Sequence, residues 1–152
     1  MDAIKTHKDN KNKTVGKINS RNKGASFERD IAKRLNSFFK EKGVNFKVKR
    51  NLEQYQEKDL GDLNIPNHII ECKRYASGTW YKEDWWQQVC DSCGNDIPVL
   101  IWKYNHQPIR VCVPLWAMSE QSYNRHPESP DNSVTIVLTF EHWLEYELAY
   151  NL

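Results

Sequence analysis

The sequence predicts an α/β protein, a mixed β-sheet with α-helices packed on it. Two stretches, Phe27–Phe39 and Trp85–Cys93, repeat apolar residues at helical spacing. Around them lie short runs that alternate or are wholly apolar, as strands are. At 152 residues and 18.0 kDa the chain suits one domain with its own core.

The elements follow in order. Residues 1–22 offer almost nothing to bury and read as a basic arm, flexible in isolation. Phe27, Ile31, Leu35, Phe38 and Phe39 form one stripe, predicting a helix from about Ser26 to Lys42 that Gly43 ends. Val44–Arg50 alternates and reads as a strand, and residues 51–60 read as a polar loop. Asp62–Ile65 and His68–Arg74 are strands joined by the turn residues Pro66 and Asn67, hence a hairpin. Residues 75–81 form a loop, and Lys82–Cys93 a helix with Trp85, Val89 and Cys93 on one stripe, closed by Gly94. Ile97–Tyr104 and Ile109–Pro114 form a second hairpin around Asn105–Pro108. Residues 115–132 suggest a short helix and a Pro-containing loop, followed by a strand over Ser133–Phe140 and a helix over Glu141–Ala149. The order is αββ(β)αβββα, with 23–152 as a single domain.

Composition excludes several classes. Hydrophobic residues are 39% and charged residues 28%, and the longest uncharged apolar run is Pro98–Trp102. A transmembrane helix needs about 20 such residues. The Lys- and Asn-rich N-terminus has no apolar core of a secretion signal, so a cytoplasmic setting with reduced thiols is expected. Cys72 and Cys112 read as buried thiols. Cys90 and Cys93 have the spacing of half a zinc site or a redox pair, but no second pair of ligands follows.

A net charge of +2 conceals an asymmetry. Residues 1–50 hold 15 basic and 5 acidic residues, against 7 and 15 in residues 51–152. A basic segment ahead of an acidic body suits a polyanion such as nucleic acid. Its bland alternative is a solvated tail.

Chemistry concentrates at Asp62 and Glu71-Cys72-Lys73. On a strand, residues i and i+2 share a face about 7 Å apart. Glu71 and Lys73 therefore project together, and the hairpin returns Asp62 beside Glu71. Two converging carboxylates suit a hard divalent cation such as Mg²⁺, and the backbone carbonyl of Cys72 offers a further oxygen. Such an ion activates water and neutralises a phosphoryl oxygen, and an adjacent Lys73 orients water or stabilises charge. Those parts suit phosphodiester hydrolysis. The competing reading of Glu71 and Lys73 is an exposed ion pair worth little.

The wider pattern resembles the PD-(D/E)xK nuclease superfamily, most closely its Holliday-junction-resolvase-like branch, which includes small phage proteins. The residues that carry the resemblance are Lys23-Gly-Ala-Ser-Phe-Glu28-Arg-Asp-Ile-Ala-Lys-Arg-Leu35, Arg50-Asn51-Leu52 with Gln54, Gly61-Asp62-Leu63, Ile70-Glu71-Cys72-Lys73-Arg74, Trp85-Trp86-Gln87-Gln88, Pro98–Trp102, and Arg110-Val111 with Val113-Pro114. It spans roughly residues 23–115 and departs from the name motif at Gly61, where many members have Pro. The resemblance implies a restriction-endonuclease-like mixed β-sheet core flanked by α-helices. It implies a Mg²⁺-dependent endodeoxyribonuclease, with Mn²⁺ as a substitute, acting on Holliday or other branched DNA in the host-cell cytoplasm. Asp62 and Glu71 would bind the metal, Lys73 would be the catalytic lysine, and Glu28 would be a metal or water ligand. Gln88 would support the site, with Gln87 as the alternative because helix phase is uncertain by one residue.

DNA contacts are expected from Lys11, Lys13, Lys17, Arg21 and Lys23 on the arm, from Lys47, Lys49 and Arg50, and from Arg74 beside the catalytic strand. Trp80, Tyr81 and Trp85 cluster just after the catalytic strand and are candidates to stack on bases or wedge a junction, against a plain packing role. Paired cuts imply a homodimer, with 133–149 as a candidate interface. The other readings are a restriction-like or single-strand-acting nuclease, a non-catalytic DNA-binding protein on the same fold, and a zinc or redox regulator built on Cys90 and Cys93.

Overall fold

A computed structural model describes residues 2–51, 61–118 and 130–152, with only the backbone for residues 2–19. The first helix, α1, spans Asp2–Glu41 and so begins well before Ser26. Periodicity reads only the part of a helix that is buried, whereas the backbone bonds need no burial. Residues 2–25 contain no Pro, and Gly16 and Gly24 each cost a helix only about 1 kcal/mol. Gly43 ends it with φ +72°, which lets the Val44 N–H return to the Phe39 carbonyl at 2.8 Å.

Among the described residues five strands follow: β1 (Leu63–Ile65), β2 (His68–Tyr75), β3 (Ile97–Tyr104), β4 (Arg110–Pro114) and β5 (Thr135–Thr139). The helix α2 (Glu83–Ser92) lies between β2 and β3, and α3 (Phe140–Tyr146) follows β5. The sheet order is β1-β2-β3-β4-β5; only β2 and β3 run parallel, and α2 forms the crossover between them. One-turn 3₁₀ helices occupy Leu115–Met118 and Leu148–Tyr150. The Pro-containing loop expected near His126–Pro130 lies almost wholly outside the described residues, as do Leu52 and Gln54.

Val44–Arg50 forms no strand, although its alternation predicted one. Only Arg50 bridges to Leu63. The Asn36 side chain takes the place of a neighbouring strand, accepting the Val48 N–H at 2.7 Å and donating to its carbonyl at 3.1 Å. Both polar groups of a buried residue are thereby satisfied without a ladder. Alternation also fails in burial, since Val48 is buried while Phe46 is exposed.

The sheet separates two cores. Leu63, Ile65, Ile70, Val99, Ile101, Val111 and Val113 pack with Phe27, Ile31, Leu35 and Phe39 of α1 and with Phe140 and Trp143 of α3. Ile69, Leu100, Trp102, Tyr104 and Cys112 pack with Trp85, Trp86 and Val89 of α2 and with Cys93 just past its end. The hairpin turn places Asn67 at φ +65°, a conformation Asn tolerates, after a Pro whose φ is fixed.

At the far end of β2 from Lys73, His68 and Glu147 are both fully buried, with His68 Nε2 2.8 Å from each Glu147 oxygen. Burial alone would lower the His68 pKa. The charge and hydrogen bond of Glu147, aided by the Pro66 carbonyl and Asp96, outweigh that and raise it above 6.5. A raised folded-state pKa gives stability that is complete below about pH 6.5 and lost as pH rises through the higher folded value. Urea unfolding of the wild type should therefore show stability falling as pH climbs from 6.5. Glu147→Gln should cost about 3 kcal/mol near pH 6, because His68 is left buried without a counter-charge. In that variant the fall above pH 6.5 should become shallower, the remaining fall coming from the raised Glu71 carboxyl, and an unchanged slope would remove the ion pair from the account.

Candidate active site

The β1–β2 ladder ends with Leu63 opposite Ile70. One residue further out, the Asp62 side chain takes over the role of a rung: its Oδ2 accepts the Cys72 N–H at 2.8 Å. Asp62 and Glu71 thus lie side by side, only 6% and 4% exposed. Burial, then the charge of Asp62 and its hydrogen bond, push the Glu71 carboxyl up to about 8, while Lys73 opposes the shift. Burial, followed by the charges of Asp62, Glu28 and Glu71, raises the Cys72 thiol well above its ordinary range.

Close approach explains Gly61. A Cβ at this position would lie 2.7 Å from both Ile69 Cγ2 and the Ile70 carbonyl oxygen. Asn51 fixes the same segment: its backbone N–H donates to the Asp62 carbonyl at 2.9 Å, and its side chain to the Gly61 carbonyl at 2.8 Å. The Asn51 amide also donates to Asn64 Oδ1 at 3.1 Å.

Lys73 lies on the α2 side of β2, and its Nζ donates to Gln88 Oε1 at 2.9 Å. Gln87 donates instead to Asp91 one turn along the helix, so Gln88 is the glutamine that meets the lysine. From the other side of the sheet, Glu28 of α1 accepts a 2.6 Å bond from Arg50 Nε. Burial raises the Glu28 pKa against the lowering effect of that bond, and the charge of Asp62 raises it further. Sequence reasoning placed Arg50 near DNA but missed its pairing with Glu28; the two are 22 positions apart and share no local pattern.

Among the described residues no three His, Cys, Asp or Glu side chains converge closely enough to hold an ion between them. Glu28 is drawn to Arg50, which leaves Asp62 and Glu71 as the convergent pair. Two buried carboxylates suit a hard cation that takes oxygen ligands and retains several waters, because the cation offsets the repulsion that arises once both are ionised. Cys90 and Cys93 have surroundings of another kind. Burial above all holds both thiols high, Cys90 at about 12. A reactive or metal-binding cysteine needs the opposite shift.

The expected DNA contacts have varied surroundings. Lys47 and Lys49 are exposed, as is Arg21. Lys23 Nζ and Arg74 Nη2 both donate to Asn105 Oδ1, at 3.0 and 2.7 Å, and Arg74 Nη1 also donates to the Tyr75 carbonyl. Trp80 is 55% exposed and stands edge-on to Trp102 at 5.8 Å. Tyr81 is half-buried against the same ring at 5.1 Å. Side chains of Lys11, Lys13 and Lys17 lie outside the described residues.

A family model described as "Phage putative PDDEXK endonuclease" matches residues 19–149. The chain belongs to this family of phage PD-(D/E)xK endonucleases, and the five-stranded mixed sheet flanked by helices is consistent with that fold. Membership implies nuclease activity on DNA, and nucleases of this kind typically use divalent metals. The match runs past residue 115 and takes in β5 and α3, which the motif resemblance left out. No curated protein matches the chain. Among the described residues no helix is long and apolar enough to cross a membrane.

Gly61→Ala should force the Asp62 segment away from β2. Stability should fall by about 1–3 kcal/mol in urea unfolding, as overpacking does elsewhere. An Ala at this position without cost would show that the close approach does not set the position of Asp62.

Proposed function

We propose that the protein is a metal-dependent, structure-selective DNA endonuclease that hydrolyses phosphodiester bonds in Holliday or other branched junctions. The observation that carries the hydrolytic part is the buried pair Asp62 and Glu71 with Lys73 two residues on. The junction preference is supported by the motif resemblance and by the basic segment at residues 1–50. Asp62, Glu71 and the Cys72 carbonyl would hold Mg²⁺, or Mn²⁺ in its place, with Glu28 as a further metal or water ligand. A divalent ion held there supplies an acidified water and charge neutralisation at a phosphoryl oxygen.

The chain's own groups do the rest. Lys73 carries positive charge to the edge where negative charge develops on the phosphate. Gln88 positions that ammonium from α2, so it acts as a positioning residue. Arg50 holds Glu28, and its guanidinium also offers donors suited to phosphate. The basic arm, residues 1–22, and Lys47 and Lys49 would grip the backbone without reading sequence. Trp80, the more exposed of the two aromatics, offers a face edge for stacking on an unpaired base. Coordinated cuts on two strands would require a homodimer with two such sites.

The decisive experiment is cleavage of an immobile four-way junction, with linear duplex and single strands as controls, in Mg²⁺ and in EDTA. Paired symmetric nicks that require Mg²⁺ are expected, and Glu71→Ala should abolish them. Equal cutting of all substrates would retain the nuclease and move it to a restriction-like or general class. Binding without cutting in either Mg²⁺ or Mn²⁺ would overturn the catalytic reading. Gln88→Ala should lower kcat by about 10–100-fold, as removal of a group that orients a reacting one does, with little change in junction affinity. A change in affinity alone would make Gln88 a binding residue.

A further inference from the structure

A groove of about 650 Å³ runs between the outer face of α1 and the segment Val48–Arg50. Arg29, Lys33 and Lys40 line one wall, and Lys49 and Arg50 line the other. Among the described residues none that lines it is acidic. Of the acidic residues beside it on the helix, Asp30 is paired with Arg34 at 3.1 Å and Glu28 with Arg50 at 2.6 Å, while Glu41 follows Lys40. Arg29, Lys33, Asn36 and Lys40 recur at helical spacing, on a stripe distinct from the buried one of Phe27, Ile31, Leu35 and Phe38. The groove has a fixed width because Asn36 bonds both backbone groups of Val48 and clamps the second wall to the helix.

Arg50, on the second wall of the groove, also bonds Glu28, the α1 carboxylate of the candidate site. From Arg29 to Lys40 the helix advances about 16 Å. A single DNA strand advances about 3.4 Å per phosphate along a duplex axis, so this wall faces several consecutive phosphates. We infer that the groove seats the phosphodiester backbone of the duplex arm beside the scissile bond, with Lys33 and Lys40 of α1 as phosphate contacts. This rests on the nuclease reading and adds to it the path by which DNA reaches the carboxylates. Arg50 is committed to Glu28, but Arg29, Lys33, Lys40 and Lys49 share a surface that a polyanion stabilises. The exposure of Lys33, Lys40 and Lys49 keeps their ammonium groups available.

The test is the salt dependence of affinity for a junction with duplex arms, measured in EDTA so that no DNA is cut. Neutralising one phosphate-binding cation should lower the slope of log K against log salt by about 0.9. A triple variant, Lys33→Gln, Lys40→Gln and Lys49→Gln, should lower it by about 2.7. Between 50 and 200 mM salt the affinity of the wild type would then drop roughly 40-fold more than that of the variant. The matching triple Lys→Arg variant should retain the wild-type slope, and Lys103→Gln on β3, outside the groove, should leave it unchanged. Circular dichroism of each variant checks that folding is intact. An unchanged slope in the folded triple Gln variant overturns the groove. Separate cleavage of the wild type in Mg²⁺ keeps the two readings apart. Absent cutting with a lowered slope removes the nuclease and leaves the groove, whereas cutting with an unchanged slope does the reverse.

Discussion

The bond from the Cys72 N–H to Asp62 Oδ2 sets the geometry of the functional edge. β1 is only three residues long, and its ladder with β2 stops at Leu63 and Ile70. Past that point a side chain replaces a backbone partner, and it brings a carboxylate against Glu71. Two buried carboxylates repel, and together with burial this pushes Glu71 up to about 8. That arrangement opposes folding locally, so it must be held by the structure around it. Gly61 permits the approach, Asn51 ties the strand ends together, and the two cores on either face of the sheet supply the stability.

Position at an edge also explains how helices from both faces contribute. Ile70 and Cys72 point toward α1 and α3, whereas Ile69 and Lys73 point toward α2. Gln88 approaches Lys73 from one face, and Glu28 lies with Arg50 on the other. Here β1 is short, the charge of Asp62 acts on Glu28, and that of Glu28 acts on Glu71.

Much of this was legible in the residue pattern, and the parts that were not share a cause. β3 runs over Ile97–Tyr104 as its apolar run predicts, and the β1–β2 hairpin follows from Pro66 and Asn67 between two apolar strands. The α2 stripe of Trp85, Val89 and Cys93 is buried as spaced. These features depend on local chemistry. Val44–Arg50 misled because alternation records which side chains face inward, not whether a neighbouring strand exists; Asn36 fills that role from 12 positions away. The long N-terminal extension of α1 carries no amphipathic signal at all. Glu28 with Arg50, and His68 with Glu147, are pairs made by tertiary folding, separated by 22 and 79 positions, and no spacing rule connects them.

The His68–Glu147 pair also bears on the order of events during synthesis. His68 begins the strand that carries Glu71 and Lys73, yet its buried partner is made 79 residues later. At ribosomal rates of about 5–20 residues per second, some 4–16 s separate the two. Over that interval β2 has its hairpin mate but lacks the charge that its first residue needs. A chain arrested before residue 147 would therefore carry Glu71 and Lys73 on a strand whose base is unsecured. The carboxylate edge is tied in this way to a segment that the ribosome delivers long after it.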